Sequence, residues 1–200
     1  MVSNPSRAWR SPIAKAKRAP RTAPAVRVPK RPTPADRIPR VIAQPSLADH
    51  LAVISRAVFQ AGLSWAFIDA TWDAYVAAFD GFDVAAVSAY GEDAVERLMS
   101  TERLVHSRAK IEGTIRNARV LLELAREFGS IEAYQASFGA DYAAARKDAH
   151  GRFAFMGDLN TYYWRFRTGA PVPELESWMK DQPRDHPRMR EMVQAAAKTP

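Results

Sequence analysis

Gln60-Ala61-Gly62-Leu63-Ser64-Trp65 is the stretch from which the fold is read. Ahead of it, Leu47, Leu51, Ile54 and Val58 recur at spacings of four and three, the period of a helix with one buried face. Ser46 with Asp49 three residues on approximates a capping box and sets where that helix begins. Gly62 interrupts it, and Leu63 to Phe79 reads as a second helix. The corner therefore joins two helices and sets Gln60, Ser64 and Trp65 around a break. On residue type alone, a tryptophan there is a core residue, and Gln60 and Ser64 serve either a ligand or the backbone groups of the break.

Downstream, Asp80-Gly81-Phe82-Asp83 is a turn, with Asp83 capping a short helix to about Tyr90. Gly91-Glu92 starts another helix, ending near Ser100. The longest runs from about Ser107 to Phe128, with an apolar stripe at 111, 115, 118, 122 and 125. On it, Glu112 with Arg116 and Arg119 with Glu123 are four apart and predict surface ion pairs. Gly129-Ser130 ends this helix and caps the next. Helices follow near 131–138 and 141–150, then a hairpin at Phe153 to Gly157, a helix from Asp158 to Arg167, and two more at 174–180 and 187–198. No run alternates with period two, so the predicted fold class is all-α.

Composition narrows the function classes. There is no cysteine, which removes disulfides, thiolate chemistry and any zinc site needing Cys ligands. The four histidines, His50, His106, His150 and His186, lack metal-ligand spacing, and apart from His106 they are expected to face solvent. No apolar run reaches the roughly 18 residues a membrane helix needs. Residues 1–40 hold eleven Lys/Arg against one acid, Asp36, for a net +10; the other 18 basic and 21 acidic residues leave −3. Eight of the fourteen prolines also fall there. Residues 1–44 therefore predict a disordered basic tail, and 45–200 a helical domain. Such a tail reads as an arm that tracks phosphates or as a solubilising segment; its proline density argues against an amphipathic transit helix.

Several pieces, taken in order and spacing, carry a resemblance. They are Phe59-Gln60-Ala61-Gly62-Leu63-Ser64-Trp65, Ala78-Phe79-Asp80-Gly81-Phe82-Asp83, Glu96-Arg97-Leu98, His106-Ser107-Arg108-Ala109-Lys110-Ile111, Ile115-Arg116-Asn117-Ala118-Arg119 and Phe153-Ala154-Phe155-Met156-Gly157. Over roughly 46–180 the chain resembles the 3-methyladenine DNA glycosylase I family, small enzymes of the helix-hairpin-helix superfamily. The resemblance implies that fold and a base-excision-repair hydrolase that cuts the N-glycosidic bond of an alkylated purine in double-stranded DNA. It gives Trp65 the role of stacking on the extruded base, where an indole face favours a cationic 3-methylated adenine. Gln60 and Ser64 flank the same corner as base-binding candidates. Met156 and Gly157 form the hairpin that meets a phosphate, Arg108 and Lys110 are phosphate contacts, and His106 falls in the same basic segment. A glycine at a helix N-terminus suits an anion, and the other reading is an ordinary helix-helix turn.

The chain departs from the family pattern in three places. The N-terminal zinc module is replaced by the basic tail, and the C-terminal zinc half by Val172-Pro173-Glu174-Leu175-Glu176-Ser177-Trp178. The position of the family's base-recognising glutamate, eight before the tryptophan, is Ala57. No metal or cofactor is expected. Glu176 lies nineteen residues after Gly157, close to where the superfamily places a catalytic aspartate, and is the candidate catalytic carboxylate, stabilising an oxocarbenium-like sugar; the other reading makes Glu174 and Glu176 first-turn acids. Asp158 reads as a helix cap. No lysine is placed for Schiff-base chemistry, so a monofunctional glycosylase acting in the bacterial cytoplasm, at the nucleoid, is expected. The alternative is a glycosylase-like protein that binds damaged DNA with impaired catalysis.

Overall fold

The computed structural model describes residues 41–197, and the predicted disordered segment at 1–40 lies outside them. Ten α-helices occupy the described residues, with no strand among them: α1 (Leu47–Gln60), α2 (Trp65–Ala78), α3 (Val84–Ser88), α4 (Glu92–Ser100), α5 (Arg108–Phe128), α6 (Ile131–Ala136), α7 (Tyr142–Arg152), α8 (Asp158–Arg167), α9 (Leu175–Lys180) and α10 (Pro187–Ala197). The fold is all-α. Local chemistry sets most of the starts. Ser46 closes the capping box with Asp49 in both directions, and Asp83, Ser130 and Asp141 each accept from the backbone N–H three residues on. Gly129, at φ 84°, ends α5 in the left-handed conformation that glycine adopts without a Cβ penalty.

Helix α5 is the spine. It packs against α1, α3, α4 and α6, while α1 also meets α8. Ile111, Ile115 and Ala118 of the predicted stripe are buried, but further along the buried positions are Leu121 and Leu124, with Leu122 and Ala125 only half-buried. A fixed alternation of four and three drifts off a helix of 3.6 residues per turn, and the closing helix α6 takes the next face round. Two predicted ion pairs on α5 do not form. Arg116 Nη2 donates instead to the carbonyl of Arg152 at 3.2 Å, and Arg119 Nε to that of Ser88 at 2.9 Å. Both guanidiniums thus cap helix ends, α7 and α3, where carbonyls lack helical partners.

Order extends to the start of the described residues. The Ile42 N–H donates to the Arg167 carbonyl at 2.8 Å, and its half-buried side chain packs against the core. His50, expected at the surface, is fully buried. Its Nδ1 accepts from Trp164 Nε1 at 3.0 Å and its Nε2 lies 3.1 Å from Glu132 Oε1, so both ring nitrogens are committed. A donor at Nδ1 assigns the ring proton to Nε2, which donates to Glu132.

Candidate base site and nucleic-acid interface

The corner begins where α1 runs out. Gly62 takes φ 78°, which reverses the chain in two residues, and Ser64 starts α2 without a side-chain capping bond. Residues 61–64 are exposed, while Gln60 is 2% exposed. Lys110, expected to reach for phosphate, turns inward. Its Nζ donates to the carbonyls of Phe59 at 3.2 Å and Ala61 at 2.7 Å, on either side of Gln60. A cation at a helix C-terminus meets both orphan carbonyls and the negative dipole end. Burial holds the Lys110 pKa below the usual lysine value.

Trp65 is half-buried. One edge packs at 80° on buried Tyr163, ring centres 5.9 Å apart, and the Tyr163 hydroxyl accepts from Arg167 Nη1 at 2.9 Å. The indole is therefore braced by α8 and only partly covered. One turn on along α2, Asp69 is buried, and its Oδ1 accepts from Arg56 Nε (3.1 Å), Arg56 Nη2 (2.6 Å) and Gln60 Nε2 (3.2 Å). Arg56 also stacks over Trp72, 5.0 Å from the ring centre. Ala57, between Arg56 and Gln60 on α1, is 4% exposed and inside the core. Sequence reading missed Arg56 and Asp69. The available signal was an acid set directly between apolar Ile68 and Ala70 on α2.

The second part of the site is the hairpin between α7 and α8. Asn117 on α5 clamps it from beneath, donating from Nδ2 to the Ala154 carbonyl (3.2 Å) and accepting the Ala154 N–H at Oδ1 (2.7 Å). Phe155 stands at φ 59°, its ring lying against Gly113 of α5, where an added Cβ would come within 2.7 Å of the phenyl edge. Asn160 Nδ2 holds the Phe155 carbonyl at 2.8 Å. Met156 is 1% exposed: its side chain anchors the turn in the core, so only its main chain is available to a ligand. Gly157 is exposed and caps α8 in an extended conformation, with open space where a Cβ would stand. Asp158, expected as the cap, is the first residue of the helix. Its carboxylate accepts from Tyr142 Oη (2.7 Å), Trp178 Nε1 (3.2 Å) and Gln182 Nε2 (3.1 Å), tying α7, α8 and α9 together. That arrangement, after burial itself, pushes the Tyr142 pKa up.

In front of Gly157 lies a groove of about 620 Å³, flanked by Arg146, Lys147 and His150 from the exposed side of α7. Arg146 and Lys147 beside this groove were missed in the sequence, although their place on one helix was legible. Arg108 serves another purpose: its guanidinium is ringed by Glu92 (2.8 Å), Glu96 and Glu112 (3.4 Å), and those carboxylates raise its pKa. A phosphate there would compete with three acids. Exposed His106 is hydrogen-bonded at Nε2 to the Thr101 carbonyl, 3.0 Å away. Glu176 sits on the exposed first turn of α9 and pairs with Arg190, while Glu174 caps that turn by accepting from the N–H groups of Glu176 (2.9 Å) and Ser177 (2.8 Å). A water-exposed carboxylate already paired with a guanidinium is screened before it could meet an oxocarbenium-like sugar. No group of His, Asp or Glu among the described residues is arranged to hold a metal.

The chain resembles known proteins over this same architecture. A segment of 65 residues is 40% identical to DNA-3-methyladenine glycosylase 1 of Escherichia coli; it spans 32% of this chain and 35% of that relative's length. Among solved structures, 3-methyladenine DNA glycosylase I of Staphylococcus aureus superposes with a TM-score of 0.60 at 23% identity, covering 77% of this chain and 94% of that one. A further structure of 3-methyladenine DNA glycosylase I gives a TM-score of 0.56 at 26% identity over 65% of this chain and 82% of the other. The family model for methyladenine glycosylase matches residues 48–153, more than half of the 200, and takes in α1, the corner, the α5 spine and α7. This chain belongs to the methyladenine glycosylase family.

Proposed function

We propose that the protein is a monofunctional DNA glycosylase that removes N3-alkylated adenine from double-stranded DNA by hydrolysing the N-glycosidic bond. The observation that carries this reading is the partly buried indole of Trp65, braced by Tyr163 at one edge and set beside the exposed corner 61–64. A base must leave the duplex before its glycosidic bond can be reached, and an aromatic face supports it once extruded. Methylation at N3 gives adenine a positive charge, which a π face attracts more strongly than the neutral base. The same charge weakens the bond to the sugar. Little help from a general acid is then needed.

The hairpin supplies the grip on the backbone. Gly157 presents the start of α8 to the groove with no side chain in the way, and Arg146, Lys147 and His150 lie along its wall. A phosphate set there meets unpaired N–H groups and the positive end of a ten-residue helix. Arg146 also contacts Asp158 at 3.5 Å, and His150 Nδ1 lies 3.3 Å from the Met156 carbonyl, leaving Lys147 as the first contact for an incoming strand. The basic segment 1–40 adds sequence-independent attraction to DNA. No helix among the described residues is long and apolar enough to cross a membrane, and the proposed site of action is DNA in the bacterial cytoplasm.

The test is base release from duplex DNA containing 3-methyladenine, under single-turnover conditions. The reading expects release above the spontaneous rate of depurination. Release at the spontaneous rate, with duplex binding intact, would overturn it.

A further inference from the structure

We propose that His50 is a positioning residue for the hairpin and for the brace behind Trp65, acting through Trp164, and that adding a proton to its ring releases both; the consequence for DNA rests on the glycosylase reading above. Helix α8 carries two features which that reading uses. Exposed Gly157 caps its N-terminus, and its Tyr163 braces the edge of Trp65. The next residue, Trp164, is 1% exposed and ties α8 to α1: its indole N–H donates to His50 Nδ1 at 3.0 Å. The same indole packs edge-on against Phe153, ring centres 5.2 Å apart, where the hairpin leaves α7. His50, Trp164 and Phe153 thus form one buried line from α1 to the hairpin.

An indole N–H only donates, so this bond needs an unprotonated Nδ1. The neutral ring meets that need with its proton on Nε2, 3.1 Å from Glu132 Oε1. A second proton, taken from solvent onto Nδ1, sets donor against donor in a buried contact, and the indole has no acceptor to offer in exchange. Loss of the bond leaves the Trp164 N–H unpaired in the core, which displaces the indole and with it the contact to Phe153. The Glu132 side chain is half exposed and borders, with His50, a cavity of about 130 Å³ through which a proton can reach the ring. Glu132 on α6 and Asp49 on α1 favour the charged ring; Arg167 of α8 acts on Asp49 in turn, and α5 lines the cavity with apolar Ala125. Burial outweighs the two acids and holds the ring's pKa below 6.5, so the tie is intact at neutral pH and is lost on acidification.

Heteronuclear NMR of the full chain reads the tie directly. The Trp164 indole signal is identified by its loss in Trp164→Phe, and the His50 ring signals by their loss in His50→Gln. Between pH 7.5 and 5, the Trp164 N–H, the His50 ring and the Ala154 and Gly157 amides are expected to move with one midpoint below 6.5. In His50→Gln, whose amide can accept from Trp164 and donate to Glu132 without titrating, the Trp164 and hairpin signals should stay fixed. Trp164→Phe keeps the ring packing but removes the donor, so the His50 midpoint should rise by about one pH unit, the scale of one buried hydrogen bond. Affinity for a duplex carrying a tetrahydrofuran abasic-site analogue should fall by about fivefold or more on acidification, relative to His50→Gln. Charge gained by His106 and His150 in the same range acts the other way. Circular dichroism checks both variants; if His50→Gln does not fold, the midpoint in Trp164→Phe decides alone. Hairpin amides that stay fixed while His50 titrates, an unmoved midpoint in Trp164→Phe, or duplex affinity with the same pH course in wild type and His50→Gln overturns the assignment. Joint titration of these signals in a chain that binds no duplex at any pH upholds the tie and overturns the glycosylase reading instead.

Discussion

His50 shows what the sequence withholds at the scale of a single residue. A lone histidine in an amphipathic helix carries no sign of partners 82 and 114 residues away, yet Glu132 and Trp164 take both of its ring nitrogens. Burial, acting against the Glu132 contact, holds its pKa below the ordinary 6.5. The folded chain therefore prefers neutral His50, and the sign follows. The stabilisation is fully present above pH 6.5, falls as pH drops below that value, and levels off beneath the lowered pKa, with a slope of at most about 1.4 kcal/mol per pH unit from this one group. Melting curves between pH 7.5 and 5 should show this decline in wild type and a flatter profile in His50→Gln; parallel profiles would assign the decline to other groups. Lys110 is legible only in part. Its charge and position beside the corner are in the sequence, but its direction depends on α1 ending within reach. Lys110→Met should remove two capping bonds, cost about 1–2 kcal/mol in chemical denaturation and weaken 3-methyladenine binding. Unchanged base affinity alongside lowered stability would detach the corner from the site.

Among elements, what is encoded locally was readable and what is encoded across the fold was not. The starts of α1, α3, α6 and α7 follow from Ser46, Asp83, Ser130 and Asp141, because a cap needs only its own next three residues. The roles of Arg116 and Arg119 were misread because spacing on one helix cannot show that two other helices end beside it. The same limit hid the hairpin's support. Asn117 was visible as part of a motif, but its two-way clamp on Ala154 exists only once α5 passes beneath residues 153–157. Two variants follow from that support. Gly113→Ala puts a methyl 2.7 Å from the Phe155 ring and 3.3 Å from the Ala154 Cβ, and should destabilise by about 1–3 kcal/mol while displacing the hairpin. Asn117→Ala leaves both Ala154 backbone groups without their partner and should weaken duplex binding more than Lys147→Ala does. Duplex affinities that follow Lys147 but ignore Asn117 would mean that the turn needs no clamp.

At the scale of the whole molecule, charge and chemistry are separated along the sequence. Residues 1–40 carry net +10 and the remainder −3, so the proposed function assigns long-range attraction to DNA to the first part and lesion recognition to the second. Removing residues 1–40 should reduce the steepness with which duplex affinity falls with salt, while free 3-methyladenine binds as before. Loss of free-base binding on truncation would place part of the base site outside the helical residues. The family was legible in the sequence because the corner, the α5 motif and the hairpin lie in order; the wall of the base site was not, since Arg56, Gln60 and Asp69 meet only when α1 and α2 fold back on each other. The central claim is that Trp65 carries an extruded, alkylated base. Single-turnover release of 3-methyladenine from duplex DNA, compared between wild type and Trp65→Ala, tests it most directly. The expected result is release above the spontaneous rate in wild type and a loss of roughly 10- to 100-fold in the variant, the worth of one stacked base, with duplex binding retained. Equal rates in the two chains, or wild-type release no faster than spontaneous depurination, would contradict it.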